Sequence, residues 1–590
     1  MKKIKLYINT VKYLKPSQIY YRLINSFKRV LHTRNILKVK VPNDLNVNYS
    51  FDYLITELDF SQNYLNRFNI KNILNDQFTF INIINKVNLS KAWNNRELQH
   101  LWRYNLHYFE YLFILAYECF KDNCQQQYYD KFKYFIENWI DNNPFAHGDG
   151  WHSYTISLRL TNWISTYQVF LSKIKFDLEF DKKIKESIYL QYQYLQKNLE
   201  KDVLGNHYFE NIKALIIGSI FLKEDKVKER FKDELLKQLD EQVLKDGMHF
   251  ELSPMYHKII LEDLIKITYW LKDDAIYSKL VNYIQKMIDV TCSFEEGFGK
   301  TPAFNDSADE ISKGYKSIID TCEKYFNLKP QFKSSLEDSG FYIIKDQSIK
   351  LIFDTGEICP SYLPAHGHCD ALSFELSVYG KPLIVNSGTY RYESGEWRDY
   401  FRSTKAHNTV VIFDQEQSQF WSSFRVANRI NKVRRKKFDY KGNQFYAGAY
   451  ISSNGNEHKR FIGCLDNNKI IVLDFVKAEL NAKSYLHFVP GTLLRTKNNI
   501  VDVVFGQDEM RIIAIETSDV NIQKSWYSEQ FNHKEENNVL TMIKDNTKNY
   551  FGFVIDFASD KYNIYESENE LKIIGDKELI INLDRLRDML

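Results

Sequence analysis

His366, His368 and Asp370 lie within five residues of one another, and His407 follows in an Ala-His-Asn-Thr segment. Alternating apolar residues from 372 to 378 predict that a β-strand runs through the first segment. Because side chains alternate faces along a strand, we expect His366, His368 and Asp370 to point the same way. Two imidazoles and a carboxylate on one face form a titratable cluster that a plain hydrophobic core does not need. The cluster therefore indicates a functional site.

His368 and His407 are candidates for a pair of metal ligands, because His-x-His on a strand is a common zinc geometry. A third ligand would come from another strand, and the segment 384–390 can supply it through the amide oxygen of Asn386. An amide is a weaker, uncharged ligand compared with a carboxylate. Structural histidines held by hydrogen bonds are the alternative, and the residues alone leave both interpretations open.

A second candidate motif is Gly205-Asn206-His207, which precedes an apolar helical pattern. Asn206 is placed to cap that helix, which is a purely structural role. Capping does not require the neighbouring His207, so a role in a site is the competing interpretation.

Ser253 and Pro254 predict the start of another helix, with Ser253 as the cap and Pro254 in the first turn. Tyr256 would then lie in that first turn, where the positive end of the helix dipole favours a phenolate. A tyrosine with a lowered pKa at this position can act as an acid or a base. An aromatic side chain packed at a helix end is the alternative.

Several polar and aromatic residues are candidates for binding a sugar substrate. Trp and Tyr rings stack on sugars, and Arg binds carboxylate or sulfate through its planar fork. The same residues can equally be half-buried helix contacts or, for the two arginines four apart, a surface salt-bridge pair. The candidates are Asn105, His107, Trp151, Arg159, Tyr390, Arg398 and Arg402.

Composition describes a folded protein with much to bury, since 44% of the residues are apolar and 26% are charged. The length predicts two or three domains. No apolar run approaches the length of a transmembrane helix. Seven scattered cysteines without a CxxC motif predict reduced thiols, most of them buried.

Residues 1–40 contain eleven Lys or Arg and neither Asp nor Glu, interleaved with apolar residues. One hypothesis is a basic amphipathic segment that lies on an anionic membrane surface or on a polyanion. The alternative is a pair of helices packed on the body of the protein with a solvated basic face. Asn9 and Lys12 interrupt any secretory h-region, so we expect a cytoplasmic location, with a position at the inner membrane surface as a further hypothesis.

The periodicity of the chain changes once, near residue 335. Helical patterns follow one another from about 96 to 325, with short connections that fit either a helical bundle or an α/α toroid. Short strands bounded by Gly, Asn and Asp follow, and they predict an antiparallel sandwich. Helices followed by strands imply two domains with a site between them.

The chain resembles the heparinase II/III superfamily of polysaccharide lyases, which is related to the exo-alginate lyases. The resemblance extends over about 100 to 420, and the N-terminal 90 residues look like family members associated with surface-polysaccharide gene clusters. The motifs that carry it are Asn206-His207 with Glu210-Asn211, Ser253-Pro254-x-Tyr256-His257, His366-Gly-His368-x-Asp370, Gly388-Thr389-Tyr390 and Arg402-Ser-Thr-x-Ala-His407-Asn408-Thr409.

The resemblance implies a basic arm with lead-in helices at 1–90, an α/α toroid at 91–330 and an antiparallel β-sandwich at 335–590, with the active site between the last two. It also implies a structural zinc held by His368 and His407. The third ligand in the family is usually Asp, where this chain has Asn386, and that departure weakens the expected metal affinity. Asp370 would orient an imidazole.

The implied reaction is β-elimination on a uronate-containing acidic glycan, and no nucleic-acid partner is expected. Asn206 and His207 would neutralise the uronate carboxylate or assist deprotonation at C5, Tyr256 would be the general acid or base, and His366 its partner. Neighbouring histidines and the helix end would lower the pKa of Tyr256. A uronyl C5-epimerase that shares the first step and a non-catalytic glycan-binding accessory protein are the alternatives.

Overall fold

The computed structural model describes residues 2–33, 39–49, 61–121, 124–346, 348–430, 432–465, 469–557, 563–567, 569–574 and 578–590. The helices are α1 (Lys2–Val11), α2 (Pro16–Thr33), α3 (Gln62–Leu65), α4 (Ile70–Leu74), α5 (Leu89–Ala92), α6 (His100–Tyr108), α7 (Leu112–Lys121), α8 (Gln126–Asn142), α9 (Ser153–Ile174), α10 (Leu178–Lys197), α11 (Gly205–Leu222), α12 (Asp225–Gln242), α13 (Pro254–Trp270), α14 (Tyr277–Glu295), α15 (Tyr315–Phe326), α16 (Glu396–Phe401) and α17 (Leu583–Arg587).

The strands are β1 (Gln77–Phe80), β2 (Ile83–Lys86), β3 (Ser335–Leu336), β4 (Phe341–Lys345), β5 (Ile349–Asp354), β6 (Phe374–Val378), β7 (Lys381–Ile384), β8 (Val410–Ile412), β9 (Phe420–Trp421), β10 (Arg425–Val426), β11 (Arg434–Tyr440), β12 (Asn443–Ile451), β13 (Glu457–Leu465), β14 (Lys469–Phe475), β15 (Ala482–His487), β16 (Leu493–Lys497), β17 (Ile500–Phe505), β18 (Asp508–Ile515), β19 (Thr517–Gln530), β20 (His533–Lys544), β21 (Tyr550–Asp556), β22 (Asn563–Glu566), β23 (Glu570–Ile574) and β24 (Glu578–Asn582).

The helical half packs around one large core. Helix α9 lies against α7, α10 and α11, and α11 in turn contacts α12 and α13. Leu160, Trp163 and Ile164 recur at helical spacing, and all three are buried on α9. The hairpin β1–β2 precedes the toroid and adds the buried Phe78 and Phe80 to the same core. Short connections between consecutive helices place the polar segments that follow α10 and precede α13 at one end of the toroid.

The β half is built from antiparallel sheets. An eight-stranded sheet, in the order β11-β12-β13-β14-β21-β18-β17-β16, faces a five-stranded sheet, β3 to β7, and a four-stranded sheet, β19-β20-β15-β8. The core between these layers contains Leu376, Val472 and Leu540, one from each of the three sheets. The small sheet β22–β24 and helix α17 cover part of the outer face of the eight-stranded sheet. Helices followed by strands is the order that the sequence predicts.

A separate hydrophobic cluster joins the two halves. Phe294 and Phe304, from the end of the helical half, pack edge-to-face against Phe341 on strand β4, with ring centroids 5.1 and 5.3 Å apart. Leu252 and Ile352 belong to the same buried cluster. Because this interface is apolar and closed, it fixes the position of the sandwich relative to the toroid.

The predicted strand through His366, His368 and Asp370 is wrong. Residues 361–373 form a loop, and strand β6 begins at Phe374. Leu372 has a φ of 60°, which an extended strand does not allow. The alternating apolar residues therefore describe only the strand itself, and the histidines lie in the loop that enters it.

The cysteine prediction needs one correction. Cys119 and Cys124 form a disulfide at the end of α7, whereas Cys292, Cys322, Cys359, Cys369 and Cys464 remain thiols. Four of these five are buried. The sequence spacing of five residues gave no sign that the end of a helix would fold one cysteine back onto the other. Within the described residues, no helix is long and apolar enough to cross a membrane.

Replacing Phe341 with Ala should destabilise the protein by about 3–5 kcal/mol, because the fully buried ring fills the junction between the two halves. The check is the change in free energy of unfolding in urea. Phe176→Ala is the matched control, since that side chain is 82% exposed and should change stability by less than about 0.5 kcal/mol. Equal losses in both variants would contradict the role given to the junction.

Candidate active site

A cleft of about 630 Å³ opens between the toroid and the sandwich. Tyr104, His152 and His207 line it from the helical side, and His366 and Tyr392 line it from the sandwich side. The volume is in the range of sites that bind small molecules or a few sugar units. The site therefore depends on the relative position of the two halves that the apolar junction fixes.

The Asp306 carboxylate is the centre of the sandwich-side network. It accepts hydrogen bonds from His366 Nδ1 at 3.0 Å, from His368 Nε2 at 2.9 Å and from both terminal nitrogens of Arg398, one of them at 2.7 Å. All of these side chains are buried. Burial would raise the pKa of Asp306, but Arg398 and the two histidines outweigh it, and the pKa lies well below its ordinary value. Asp306 is therefore ionised.

Backbone hydrogen bonds hold Asp306 in this position. Its N–H donates to the carbonyl of His366 at 2.9 Å, and its own carbonyl accepts from the Ser253 hydroxyl at 2.8 Å. The neighbouring Asn305 donates its N–H to Asp370 at 2.8 Å and its amide to the carbonyl of Leu252 at 3.0 Å. The loop after α14 therefore connects the start of α13 to the loop 361–373, which carries His366 and His368.

The role expected for Asp370 is wrong in one respect. Its carboxylate accepts from the backbone of Asn305, whereas the carboxylate that orients both imidazoles is Asp306. Burial raises the pKa of Asp370 to about 6. Asp370 holds the loop that carries Asp306, and so it positions the two histidines only indirectly.

His366 is held in one defined tautomer. Because the Asp306 carboxylate is ionised and can only accept, the Nδ1 of His366 must carry the proton between them. Its Nε2 lies 3.6 Å from a carboxylate oxygen of Glu251, and in the neutral imidazole this nitrogen carries the lone pair. The ring packs against Tyr256 with the centroids 4.0 Å apart. A histidine oriented by a carboxylate in this way is suited to accept a proton.

Tyr256 lies in the first turn of α13, and the predicted helix start is confirmed. Ser253 caps the helix by accepting from the N–H of Tyr256 at 3.3 Å, and Pro254 occupies the first position. The hydroxyl of Tyr256 is 3.0 Å from the hydroxyl of Tyr392. The expected lowering of the pKa of Tyr256 is wrong, because burial raises it and the Asp306 and Glu251 charges add to that effect. Tyr256 is a protonated phenol.

On the opposite wall, His207 lies near the start of α11. The helix begins at Gly205 and its cap residue is Leu204, so the prediction that Asn206 caps it is wrong. Leu204 and Gly205 have φ angles of 70° and 55°, and this turn shifts the helix start towards the preceding loop. Asn206 instead gives its backbone N–H to Glu251 at 3.0 Å and its amide to the same carboxylate at 3.3 Å.

Glu200 sets the charge of His207. Its carboxylate is 2.9 Å from His207 Nδ1 and is held from the other side by the amide of Asn211, also at 2.9 Å. Burial alone would lower the pKa of His207, but the Glu200 charge and hydrogen bond outweigh it, and the pKa is raised. The helical wall therefore favours an imidazolium at His207, next to the N-terminus of a long helix, where partial positive charge also collects.

Of the four predicted substrate contacts on the helical side, Asn105 lines the cleft. The other three are structural residues of the toroid. His107 is fully buried between the carbonyl of Trp93 and the indole N–H of Trp139, and burial lowers its pKa to about 3. Arg159 donates to Gln191, His107 and Gly150 and stacks on Trp139. Trp151 is buried, with its indole N–H on the carbonyl of Asn143.

The predicted contacts on the sandwich side do not line the cleft either. Tyr390 packs against Trp397 and Phe401. Arg398 and Arg402 are buried and are not a surface pair. Arg398 binds Asp306, and Arg402 donates to the carbonyls of Ser422 and Ser423. The two arginines are four residues apart and point the same way. That direction is inward, so both side chains pack inside the protein.

The predicted metal site does not fit zinc. Nδ1 of His368 and Nε2 of His407 face each other at 3.1 Å, while the other ring nitrogens bind Asp306 and the carbonyl of Ser403. The Asn386 amide accepts from the N–H of Asn408 and donates to Ser373. Two imidazole nitrogens fall short of the three or four protein ligands of a zinc site. Across the described part of the chain, no three His, Cys, Asp or Glu side chains are grouped to hold a metal ion.

Sequence reasoning missed four residues of this site. Asp306 and Glu200 lie in loops without a recognisable motif. Asp306 meets His366, 60 residues further along the chain, and Glu200 meets His207, 7 residues further along. Glu251 lies two residues before the Ser253-Pro254-x-Tyr256-His257 motif, and Tyr392 lies two residues beyond the predicted Tyr390. Proximity to Ser253 and to Tyr390 was the available signal for the last two.

Models of two domain families match the chain. The Heparinase II/III N-terminus model matches residues 26–333 and the Heparinase II/III-like, C-terminal model matches residues 329–568. The first alone covers more than half of the chain, and the chain therefore belongs to the heparinase II/III family. The resemblance that its motifs indicate is confirmed.

Two relatives are heparin-sulfate lyases. The one from Pedobacter heparinus is 22% identical over 400 residues, which cover 62% of this chain and 58% of that protein. The one from Bacteroides stercoris is 23% identical over 389 residues, which cover 59% and 54%. The chain thus spans just over half the length of these curated relatives.

The fold has solved counterparts. A mutant of the heparan sulfate lyase HepC from Pedobacter heparinus superposes with a TM-score of 0.63 at 16% identity, covering 96% of this chain and 94% of that one. At this identity the likeness shows the fold alone. It confirms the predicted order of an α/α toroid followed by an antiparallel β-sandwich.

Asp306→Ala should destabilise the protein by about 3–5 kcal/mol, because it leaves the buried Arg398 without its carboxylate. Urea unfolding measures the loss. Asp338→Ala, at an exposed aspartate near the start of the sandwich, is the control and should change stability by less than about 0.5 kcal/mol. A small effect of Asp306→Ala would show that the network does not hold the site.

Purified protein should contain far less than one zinc ion per chain, and its melting temperature should not change on dialysis against EDTA, because the donor set is incomplete. Elemental analysis and thermal melting measure both. Asn386→Asp is the matched variant that restores a carboxylate ligand, and it should raise the zinc content. Stoichiometric zinc in the wild type that EDTA removes with a loss of stability would contradict this prediction.

Proposed function

We propose that this protein is a polysaccharide lyase that cleaves a uronate-containing acidic glycan by β-elimination. One observation carries the proposal: a histidine with a free Nε2 and a protonated tyrosine stack against each other in the cleft, opposite an imidazolium. Elimination at a uronate needs these three groups, one to neutralise the carboxylate, one to take a proton and one to give a proton. The heparin-sulfate lyase relatives support the reaction class.

The first requirement is to acidify C5 of the uronate. The C5 proton leaves only if the negative charge that develops on the carboxylate is stabilised. His207, made cationic by Glu200, supplies positive charge on the helical wall. A uronate that places its carboxylate there has its C5 face towards the sandwich.

The second requirement is the base. His366 Nε2 accepts the C5 proton, and the electrons of the C5–H bond pass into the carboxylate as an enolate. They form the C4–C5 double bond when the C4–O4 bond breaks. The imidazolium that results is stabilised by the ionised Asp306 on Nδ1 and by Glu251 near Nε2. Arg398 keeps Asp306 ionised, and so it keeps the proton of His366 on Nδ1.

The third requirement is the acid. As the C4–O4 bond breaks, Tyr256 gives its phenolic proton to O4, which leaves as a hydroxyl group. The products are a chain with a 4,5-unsaturated uronate at its new end and a chain with a free end. The proton on His366 then returns to the Tyr256 phenolate, with the hydroxyl of Tyr392 at 3.0 Å as the neighbouring donor. Every group is restored to its starting state.

Tyr256→Phe and His366→Ala should each lower kcat by about 10²–10⁴-fold, because each removes one proton-transfer group. The assay is the ultraviolet absorbance of the unsaturated uronate, with a panel of uronate polymers as substrates. Tyr390→Phe is the matched control: it removes a hydroxyl two residues from Tyr392 but outside the cleft, and it should retain wild-type turnover.

Two results would contradict the lyase assignment. Absence of an unsaturated product from every uronate polymer, with solvent deuterium entering C5, would favour a C5-epimerase. Binding of a uronate polymer without turnover, unaffected by Tyr256→Phe and His366→Ala, would establish a non-catalytic glycan-binding protein.

Activity should fall on the alkaline side as His207 loses its proton. Since the folded-state pKa of His207 is raised above 6.5, the imidazolium persists above that pH and is lost as the pH rises through the raised pKa. Glu200→Gln removes the cause of the rise and leaves the burial that lowers the pKa. The alkaline limb of kcat/KM against pH should therefore move to lower pH in Glu200→Gln, and an unchanged limb would contradict the role of His207.

A further inference from the structure

The N-terminal helices α1 and α2 form an arm that lies across both halves of the protein. Lys15 is paired with Glu241 at 2.5 Å, and Asn25 donates to Asp202 at 2.9 Å, both on the helical half. On the sandwich half, the indole N–H of Trp421 donates to the Thr10 hydroxyl at 3.0 Å. The inner face of the arm is therefore docked, which confirms the interpretation of the sequence as a pair of packed helices.

The outer face of the arm is apolar and exposed. On α1, Ile4, Ile8 and Val11 follow one another at intervals of four and three residues, which places them on one side of the helix. On α2, the exposed apolar residues have the same spacing, and Leu23 and Phe27 are 70% and 65% exposed. The outer face carries Ile4, Ile8, Val11, Ile19, Tyr20, Leu23, Phe27 and Val30, whereas the half-exposed Tyr7 packs against Trp421.

Basic residues flank this apolar face. Lys3 and Lys5 on α1 and Lys12 just beyond it are exposed, whereas Arg22 and Arg29 of α2 face the body, with Arg22 3.9 Å from Asp202. The first forty residues contain neither Asp nor Glu. Either a protein partner or a membrane would bury the apolar area of this face. The positive charge around the face is matched better by a membrane, because an anionic bilayer extends in all directions. Apolar side chains in a stripe with basic residues at its edges are the features of helices that lie in the interface of an anionic bilayer.

We propose that α1 and α2 bind flat on an anionic phospholipid surface, with the apolar stripe inserted between the headgroups. The arm stays docked on the body through its inner face, so binding requires no unfolding. Trp421, which holds α1, is followed within three residues by Ser423 and Phe424, which line the cleft. Arg22 and Arg29 of α2 lie in a small cavity that shares His152 with the cleft. Membrane binding would therefore keep the cleft beside the bilayer.

The test uses the full-length protein and vesicles of phosphatidylcholine with or without phosphatidylglycerol, in a co-sedimentation assay. The wild type should bind the vesicles that contain phosphatidylglycerol, bind weakly to phosphatidylcholine alone, and dissociate as salt is raised. The double variant L23E/F27E should bind at least about tenfold more weakly, since it removes apolar area and adds negative charge. Its melting temperature reports whether it remains folded.

The matched control is F176E/L178E, which makes the same kind of change at two residues that are 82% and 75% exposed on the toroid, outside the arm. It should bind vesicles like the wild type. Three outcomes would overturn the proposal: no binding of the wild type to anionic vesicles, equal binding by L23E/F27E, or equal loss in both double variants. Light scattering that finds a lipid-free dimer abolished by L23E/F27E would assign the face to a second copy of this chain and would also overturn it.

Discussion

The ionised carboxylate of Asp306 is the interaction on which the rest of the site depends. It is buried where the helical half meets the sandwich, and it is the shared acceptor for His366, His368 and Arg398. A charge in such a place is stable only when it is fully paired, so the network fixes all three side chains at once. The apolar junction around Phe341 provides the rigid frame, and the carboxylate then determines which nitrogen of His366 carries the proton. Domain packing and proton chemistry are in this way coupled through one residue.

Each wall of the cleft carries a histidine, and the two histidines have opposite tasks. His207 and His366 both have a carboxylate on Nδ1, at 2.9 and 3.0 Å. The difference is that Arg398 neutralises the partner of His366, whereas an amide holds the partner of His207. The Glu200 charge therefore acts on His207 and raises its pKa, which favours an imidazolium that binds an anion. Tyr256 remains a phenol because burial outweighs the helix dipole, and this suits the acid better than the base.

Sequence periodicity predicted the fold well because each half repeats one simple pattern. Helices α6 to α15 occupy the region of helical spacing and strand β3 begins at Ser335, where the periodicity changes, and the motifs around Asn206, Tyr256 and His366 do meet at one cleft. The errors have physical causes. The alternation of apolar residues in β6 predicts a strand that also includes the preceding loop. The type of a residue on a helix does not show whether its side chain points inward or outward, which is why His107, Arg159 and Arg398 are predicted as substrate contacts although they are buried. Asp306 and Glu200 could not be found from the sequence, since their role comes entirely from contacts across 60 and 7 residues of chain.

The central claim is that the base and the acid are different groups, His366 and Tyr256. It can be tested by incubating Tyr256→Phe with a uronate polymer in deuterated water and following C5 by nuclear magnetic resonance. The account predicts that deuterium still enters C5, because His366 and its carboxylate are intact, while formation of the unsaturated product is lost. Loss of both the exchange at C5 and the elimination, in a variant that remains folded, would contradict it and would make Tyr256 the base.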